Sequence, residues 1–527
     1  MKELIKKHWD IILLSIIIGL IIILNAQPDY VIMGLDNASP YFGIGIVLER
    51  IKGSSSIIYG GLIYQLPLIS LLSSIGLSAS LISNIYIFLN LITGVVGIYL
   101  ITSRLTKKNF PRVIASIIFL TSLFTVWIFS QPNFLFIAAY GSIPIIIYFL
   151  GEKDLKLYEY VLLGIFSISF LTTSLNLVAF SIYILQILTL AKILFPKKKI
   201  KSLLLWAFCL ILFWIISLQT IKLINGDSSF LFVNIFDYIK DLLNNSTVKD
   251  VSKGIIESEK TNSLIHILSY SLGWMELHDT TNIPIFNFYA TYRENLFYLA
   301  LGTIPTLTAL LTIFKVKSKR ALFLTVSLIV FLFISSKYGV SLVEKIPYIS
   351  DALRWTSSKL WPLFIIPIIA LNTIFLSKLS DRKSKVLISV FPIFLTISLI
   401  IFSLPIYKQN LLSKKTLVNI PDVYFELPKN SEILVLPEPQ AMYMREYDWG
   451  YYGSDFLSYI NNSTFIDQAN LYETGVIYNR ILETNKVPDY IDYILYDKSV
   501  QSDERYDNLL DGFKDIKSNK YYTLYER

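Results

Sequence analysis

The sequence is poor in charge, in cysteine and in histidine. Only 16% of its 527 residues are charged, whereas an ordinary soluble domain has about 25%. The single cysteine, Cys209, excludes a disulfide framework within the chain, and with three histidines it argues against a His/Cys metal site. Glycine-rich phosphate loops of the P-loop and dinucleotide types are absent from the sequence. These absences argue against a water-soluble globule, a disulfide-stapled domain and a His/Cys metal centre.

Hydrophobic residues are abundant and make up 54% of the chain. They fall in nearly uncharged runs that are long enough to cross a hydrocarbon layer of about 30 Å. The formal charge of +8 does not indicate nucleic-acid binding, because the lysines and arginines form short clusters between the apolar runs. The sequence therefore predicts a polytopic membrane protein whose partners include membrane lipids but no nucleic acid.

The apolar runs predict about eleven transmembrane helices. The clear spans are 11–26, 80–103, 113–129, 134–150, 203–224, 297–314, 321–336, 360–377 and 386–405. The stretch 158–195 is too long for one span, so we divide it near Thr172-Thr173-Ser174. A further segment, 57–77, has the length of a span but is interrupted by Gly60, Gly61, Gln65 and Pro67.

Basic clusters decide the orientation of these spans through the positive-inside rule. The clusters are Lys2/Lys6/Lys7, Arg104/Lys107/Lys108/Arg112, Lys153/Lys156, Lys197/Lys198/Lys199/Lys201, Lys315/Lys317/Lys319/Arg320 and Lys378/Arg382/Lys383/Lys385. All of them face the cytoplasm if 57–77 does not cross, and all but one face outward if it does. We therefore predict that 57–77 is an interfacial or re-entrant helix, and that the N-terminus is cytoplasmic in a multi-pass plasma-membrane protein.

This topology predicts two domains of unequal size. Residues 1–405 form a transmembrane domain whose larger loops, 27–79, 225–296 and 337–359, lie outside, and residues 406–527 form an extracytoplasmic α/β domain. Strands are expected at Ile433–Leu436, Phe465–Asp467, Tyr490–Tyr496 and Tyr521–Tyr525, and helices at 471–485 and 503–513. The bulk on one face indicates chemistry or binding at the outer leaflet. Aromatic residues in Met444–Phe456 either stack on sugar rings or pack within the domain.

The first outer loop carries two candidate carboxylates, Asp36 and Asp29. Asp36 follows the first span at a glycine-containing turn, and Ser39-Pro40 after it is a favourable start for an interfacial helix over 40–51. The alternative is that both carboxylates are solvated or cap a helix.

The second outer loop places Glu276, His278, Asp279 and Arg293 close to a span. Acidic side chains with a histidine could bind a divalent cation or an acceptor, although their spacing matches no specific metal motif. The alternatives are solvated or capping roles for the acidic residues and the histidine, and an interfacial anchor for Arg293.

The third outer loop ends with two cations, Arg354 and Lys359, at the predicted start of a helix. A helix N-terminus with two positive charges is favourable for an anion, and at a membrane surface that anion is a lipid phosphate. The alternative is that both side chains snorkel to outer-leaflet headgroups.

Three features together resemble the integral-membrane glycosyltransferases of the GT-C fold. The first is a long outer loop with an acidic residue after the first span, followed by two interfacial helices. The second is Gly34-Leu35-Asp36-Asn37 with downstream Tyr64-Gln65-Leu66-Pro67, which is similar to the large arabinofuranosyltransferases. The third is Leu353-Arg354-Trp355-Thr356-Ser357-Ser358-Lys359-Leu360, which resembles their Arg-x-Pro-x-Lys-Phe-like element without its proline. The Pro437-to-Phe456 stretch and the Asp489-to-Asp497 strand also resemble their tail domain.

The resemblance implies transfer of a sugar from a polyprenyl-phosphate donor to an extracytoplasmic glycan, lipid or protein acceptor. By matched position, Asp36 is the catalytic carboxylate, and Arg354 and Lys359 bind the donor phosphate. Asp29 is the reserve carboxylate, and Arg293 is a further candidate for the phosphate. A carboxylate can accept the proton of an acceptor hydroxyl, and positive charge can stabilise the leaving phosphate. The sugar, the anomeric outcome and a need for metal are left open.

Two other functions fit parts of the same sequence. A lipid-linked saccharide flippase requires charged groups along a path through the spans, but the spans contain Asn84, Asn90 and Asn176 and almost no charge. A non-catalytic membrane scaffold that binds glycans requires none of Asp36, Arg354 and Lys359.

Overall fold

The computed structural model describes most of the chain. The described residues are 2–34, 41, 62–152, 154–175, 177–224, 256–272, 284–286, 288–345, 356–379, 385–408, 411–439, 444–453, 456–467, 473–499 and 504–527. Of the predicted interfacial helix over 40–51, only Tyr41 lies within these residues.

The larger part of the described chain is a bundle of apolar helices. They are α1 Lys2–Asn25, α2 Leu66–Ser74, α3 Ala79–Leu105, α4 Asn109–Thr121, α5 Leu123–Ser130, α6 Phe134–Gly151, α7 Leu157–Phe170, α8 Leu177–Leu194, α9 Ile200–Ile224, α10 Leu264–Ser269, α11 Leu296–Lys315, α12 Lys319–Ile334, α13 Lys337–Glu344, α14 Thr356–Leu379 and α15 Lys385–Lys408. Each predicted span falls on one of these helices or on a bent pair of them. The expectation of a mainly helical membrane protein is therefore confirmed.

Fewer than eleven of the described helices are long and apolar enough to count as spans. Six described helices are long and apolar enough to cross a membrane, or eight if each bent pair is one span. One such pair is α4 with α5, which are bent by 45° at Ser122, and the other is α12 with α13, bent by 72°. Leu135–Gly151, Ala179–Leu194 and Val390–Ile406 are shorter apolar helices. The total of eleven stays a prediction.

The predicted break in the long apolar stretch is confirmed. Helix α7 ends at Phe170, a 3-10 turn covers Leu171–Leu175, and α8 begins at Leu177. The interrupted segment 57–77 contains only a short α-helix, α2, which has nine residues. At 1.5 Å per residue, α2 is about 14 Å long and cannot cross the bilayer.

Helices α3 and α6 pack closely against each other, and their contact depends on glycine. A Cβ atom at Gly94 would lie 2.5 Å from the ring of Tyr140, and one at Gly97 would lie 2.6 Å from the backbone nitrogen of Ile145. On the facing helix, a Cβ atom at Gly141 would lie 2.3 Å from a side-chain oxygen of α3. Close approach at small residues is how membrane helices gain packing energy where water supplies no driving force.

Basic residues gather at one end of the bundle. Arg104 forms an ion pair with Glu152 at 2.6 Å, and Lys198 donates to the Glu152 carbonyl at 2.6 Å. Lys108 donates to the carbonyl of Ser377 at 2.9 Å. Residues from two of the predicted cytoplasmic clusters thus share an end, together with the last turn of α14. The direction of that end relative to the membrane stays a prediction.

The opposite end of the bundle is crossed by the connector 411–418. The backbone nitrogen of Leu411 donates to the side chain of Asn25 at 2.6 Å, and that of Ser413 donates to the carbonyl of Ser130 at 2.9 Å. The connector ends in strand β2 (Leu417–Val418), which pairs antiparallel with β1 (Val31–Ile32). It therefore ties the ends of α1 and α5 to the chain that follows α15.

The C-terminal region is built on a mixed sheet, as expected. Its strands are β3 Glu432–Leu436, β6 Thr464–Ile466, β7 Tyr493–Asp497, β8 Lys514–Ser518 and β9 Tyr522–Glu526, in the order β6-β3-β7-β9-β8, with a hairpin of β4 Arg445–Glu446 and β5 Tyr452–Gly453 beside them. Strand β3 is parallel to β6 and β7, and β9 is antiparallel to both of its neighbours. Helices α16 (Leu457–Ile460) and α17 (Glu473–Thr484) complete the region, while the predicted helix over 503–513 is a 3-10 helix, Glu504–Leu510. One hydrophobic core runs from the bundle into this sheet, and the division into two domains at residue 405 stays a prediction.

A buried arginine joins the carboxyl ends of the three parallel strands. Arg445 donates to the carbonyl of Pro437 at 2.7 Å and to Asp467 at 2.9 Å, and it lies 3.7 Å from Asp497. Burial acts to lower the pKa of Arg445, but the neighbouring carboxylates raise it above its ordinary value. Burial also raises the pKa of Asp497, against the opposing effects of Arg445 and of hydrogen bonds from Ser499.

The aromatic stretch in the hairpin and after it supports the packing alternative. Tyr447, Tyr451 and Phe456 are at most 4% exposed and their rings contact one another. Trp449 is partly buried and stacks on Tyr451 at the tip, where Gly450 takes a φ of +103°. These three buried rings are core residues and present no face to a sugar.

The topology predicts opposite labelling of the two ends. In a background in which Cys209 is replaced by alanine, we expect Lys520→Cys to react with an impermeant maleimide in intact cells. Lys201→Cys should react only after permeabilisation, because its cluster is predicted to be cytoplasmic. Mass-tag gel shifts measure both reactions. Labelling of Lys201→Cys but not of Lys520→Cys from outside would reverse the topology.

The buried arginine predicts an unequal pair of stability changes. Arg445→Ala leaves two buried carboxylates without their cation, and we expect it to destabilise the C-terminal region by about 3–5 kcal/mol. Lys517→Ala removes an exposed ion pair to Glu426 at 2.6 Å, which is worth at most about 1 kcal/mol. Thermal unfolding in detergent, followed by tryptophan fluorescence, measures both. Equal losses would contradict this account of Arg445.

Candidate functional site

The structure covers part of the predicted site. Asp29, Arg293 and Lys359 lie within the described residues. The remaining predicted site residues lie outside them, namely Asp36, Arg354, Glu276, His278 and Asp279.

Lys359 lies in the first turn of α14 and is 4% exposed. The helix has 24 residues, about 36 Å, and its last turn lies at the basic end of the bundle. Lys359 is therefore at the opposite end, where the connector 411–418 crosses. The N-terminus of a helix adds partial positive charge to that of the ammonium group.

Side chains of α8 hold the first turn of α14. The hydroxyl of Tyr183 donates to the carbonyl of Ser358 at 3.0 Å, and the amide of Gln186 donates to the carbonyl of Lys359 at 2.7 Å. All four residues are buried. Tyr183 and Gln186 were not predicted from the sequence. The available signal was Pro362, which stands four residues after Ser358 and therefore leaves that carbonyl without its helical donor.

Aromatic rings pack around the same part of α14. Trp361 is fully buried and stacks on Phe124 of α5, with ring centroids 4.6 Å apart. One turn further on, Phe364 stacks on Tyr270, with centroids 4.9 Å apart. These contacts bring α14, α5 and the segment after α10 together.

An apolar cavity with about 40 Å³ of free space follows Lys359 along α14. Its walls come from α4, α5, the end of α10, α11, α14 and α15. Phe364 is its nearest lining residue to Lys359 on α14, five residues or about 7.5 Å further along the axis.

The hydroxyl groups in this lining are used within the protein. Thr121, Ser122, Ser269 and Thr306 donate to backbone carbonyls at 2.7–3.1 Å. The walls therefore offer mainly hydrocarbon and aromatic surface, which suits an apolar chain and not a sugar.

Arg293 is buried in the π-helical turn Ala290–Glu294 before α11. Its guanidinium donates to the side chain of Asn262 at 3.0 Å, to the hydroxyl of Thr261 at 2.8 Å and to the carbonyl of Ser271. These bonds fasten the segment 261–271 to the start of α11. The structure thus gives Arg293 an anchoring role, and its role as a phosphate ligand stays a prediction.

Asp29 and the Tyr64-Gln65 element lie in different surroundings. Asp29 is exposed in a turn just before β1. Tyr64 and Gln65 are buried, and the hydroxyl of Tyr64 is 2.6 Å from that of Ser217 on α9. Asp29 is therefore open to solvent at the same end of the bundle as the connector. No group of three or more metal-ligating His, Cys, Asp or Glu side chains occurs within the described ranges.

Comparison with known proteins confirms the fold. No family model and no curated protein matches the sequence. The cryo-EM structure of arabinofuranosyltransferase AftD from Mycobacteria matches 99% of this chain at a TM-score of 0.59 and 12% identity. A mutant of the same enzyme matches 99% of this chain at a TM-score of 0.55 and 12% identity. The chain spans about two fifths of those proteins, 40% and 41% of their lengths. The resemblance to the arabinofuranosyltransferases is thus confirmed at the level of the fold.

Proposed function

We propose that the protein is a membrane glycosyltransferase that moves a sugar from a polyprenyl-phosphate donor to an extracytoplasmic glycan, lipid or protein acceptor. The observation that carries the proposal is the order of features along α14. A buried cation stands in its first turn, and an apolar cavity begins about 7.5 Å further along the same helix. A lipid phosphate has the same order, with an anionic head followed by a hydrocarbon chain. The fold shared with AftD supports the same class of reaction.

In this proposal the phosphate of the donor lies against the start of α14. The ammonium group of Lys359 and the N-terminus of the helix both favour an anion there. Arg354, five residues earlier in the sequence, adds a second cation. Because the site is buried, these charges stabilise the departing phosphate more strongly than they would in water. The lipid chain then extends along α14 toward the apolar cavity beside Phe364.

The acceptor is activated by a carboxylate of the first loop. Asp36 is the proposed general base, with Asp29 as the reserve candidate. Strands β1 and β2 fix the chain before Asp36 at the end of the bundle where α14 begins. This shared location supports the proposal that the carboxylate and the donor phosphate meet at that end.

The other predicted site residues have supporting roles in this scheme. Arg293 fastens the loop beside Tyr270, whose ring stacks on α14, and it is a further proposed contact for the phosphate. Glu276, His278 and Asp279 belong to the same outer loop and are proposed for the acceptor or for a divalent cation.

The flippase alternative has less support. A flippase needs charged groups along a path through the spans. Among the buried charged residues of the described spanning helices are Asp10 and Lys359, and both lie near helix ends. Between those ends, buried polar residues of the described helices such as Asn90 and Asn372 are uncharged.

Removal of the buried Lys359 cation should lower the catalytic efficiency with the polyprenyl-phosphate donor. We expect Lys359→Ala to lower kcat/KM for a polyprenyl-phosphate sugar by about 10- to 100-fold, since bonds to charged groups are worth about 1.5–3 kcal/mol. Lys337→Ala is the matched control, because Lys337 also begins a helix but is exposed. Arg354→Ala should act like Lys359→Ala, and Arg354→Lys should restore activity only in part, because lysine lacks the bidentate fork. Unchanged donor kinetics in both alanine variants would remove the phosphate site.

Loss of the proposed base should reduce turnover without loss of donor binding. Asp36→Asn keeps the size of the side chain but removes the charge that accepts a proton. General-base catalysis contributes about 10²- to 10⁴-fold, so kcat should fall by that order. Asp29→Asn is the control, and we expect it to retain activity. A near-normal kcat in Asp36→Asn, or a large loss only in Asp29→Asn, would shift the role away from Asp36.

A further inference from the structure

The first turn of α14 is separated from the rest of its helix by Pro362. Proline has no backbone N–H, and its ring disturbs the carbonyl four residues before it. The carbonyl of Ser358 therefore has no helical donor from residue 362. In a spanning segment such a carbonyl needs a donor from elsewhere in the protein, because lipid supplies none.

Two side chains of α8 supply donors at this break. The hydroxyl of Tyr183 reaches the Ser358 carbonyl at 3.0 Å, and the amide of Gln186 reaches the Lys359 carbonyl at 2.7 Å. Tyr183 and Gln186 are three residues apart, so they lie on the same face of α8. Tyr183 is 0% exposed and Gln186 is 3% exposed, which keeps both bonds away from water.

We infer that Tyr183 and Gln186 are positioning residues for the donor phosphate. They hold the carbonyls of the first turn of α14 and thereby set where the Lys359 side chain and the N–H groups of that turn point. This inference rests on the proposed function, in which Lys359 binds the phosphate. It assigns a role in donor recognition to a helix that contributes no charge to the site.

The physical reason lies in the geometry of the break. A helix fixes the direction of its first turn through its own i to i−4 bonds, and the bond that ends at Ser358 is missing here. Without the hydrogen bond from Tyr183, the first turn of α14 is less constrained. The ammonium group of Lys359 and the N–H groups of that turn then no longer point toward the same place. Binding of an anion should therefore weaken, while binding of an apolar chain in the cavity beyond Phe364 should not change.

The test compares a lipid phosphate with its neutral alcohol. Farnesyl phosphate and farnesol in detergent micelles share the chain and differ in the phosphate, and their Kd values for the purified full-length protein are measured by calorimetry. We expect Tyr183→Phe and Gln186→Met each to raise the Kd for farnesyl phosphate by about 2- to 10-fold, the range for one hydrogen bond. The Kd for farnesol should stay the same. Equal weakening for both probes would mean a general packing role and would overturn the inference.

A second substitution restores the missing donor. Pro362→Ala returns a backbone N–H to the position that serves the Ser358 carbonyl, so the hydroxyl of Tyr183 is no longer required. We expect Tyr183→Phe combined with Pro362→Ala to recover the wild-type Kd for farnesyl phosphate. Recovery supports a role through the carbonyl, and failure to recover in a folded double variant overturns it.

A matched control lies on the same helix. The amide of Asn372 donates to the carbonyl of Pro305 at 2.9 Å, and Asn372 is also fully buried. It lies thirteen residues, about 20 Å, beyond Lys359. Asn372→Leu should lower the unfolding temperature about as much as Tyr183→Phe does, but leave the Kd for farnesyl phosphate unchanged.

The inference and the proposed function fail in different ways. If Lys359→Ala weakens binding of farnesyl phosphate and Tyr183→Phe does not, the positioning role is wrong and the phosphate site stands. If Lys359→Ala has no effect on the Kd, the phosphate site itself is wrong, whatever Tyr183→Phe does.

Discussion

Backbone carbonyls in an apolar environment need hydrogen-bond donors. This requirement helps to determine how the helices of the bundle pack. Prolines occur inside the long helices α6, α11, α14 and α15, and each removes a donor from its own helix. At Pro362 a neighbouring helix supplies a donor in return, since Tyr183 bonds the carbonyl of Ser358. Asn372 of α14 adds a donor to the carbonyl of Pro305 on α11, and Thr306 donates at 2.7 Å to the carbonyl of Leu268 near the end of α10. These bonds have a fixed partner and direction, so they specify which helix faces lie together where hydrophobic burial alone does not discriminate.

The C-terminal region contains a buried cluster of charged side chains. There, strands β6, β3 and β7 end beside one arginine, and Arg445 with Asp467 and Asp497 places charge in a core that is otherwise aromatic and aliphatic. Such a cluster is costly to bury, and it is tolerated because the guanidinium also bonds a backbone carbonyl. Since Arg445 begins the hairpin that carries Tyr447 and Tyr451, the same residue links the sheet to the aromatic part of the core that continues into the bundle. The connector 411–418 makes the second link.

The sequence predicted those helices and strands that are determined by local residue patterns. Long apolar runs placed the helices, and short apolar segments with aromatic residues placed β3, β6, β7 and β9, because strands buried in a sheet are rich in such residues. Strand β8 was missed because all of its side chains are exposed or half exposed and carry no alternation. The hairpin of β4 and β5 was missed because each strand has only two residues. Ser122 was not identified as a bend, although its hydroxyl caps α5.

For the candidate site, Lys359 was singled out because a charged residue at the end of a span is unusual. Tyr183 and Gln186 were not, because their partners are more than 170 residues away in the chain. The predicted site roles remain predictions for all of these residues, namely Asp29, Asp36, Glu276, His278, Asp279, Arg293, Arg354 and Lys359.

The break at Pro362 has a consequence for how a cation is held in a membrane protein. A lysine side chain is long and flexible, and fixing it costs conformational entropy of up to about 2 kcal/mol. In this fold much of that cost falls on the protein before any ligand arrives, since Lys359 is buried and its carbonyl is bonded to α8. A site ordered in advance binds an anion more tightly than a mobile one, because less freedom is lost on binding. The proline thus weakens the helix locally, and the same weakness lets a second helix set the direction of the turn that carries the charge.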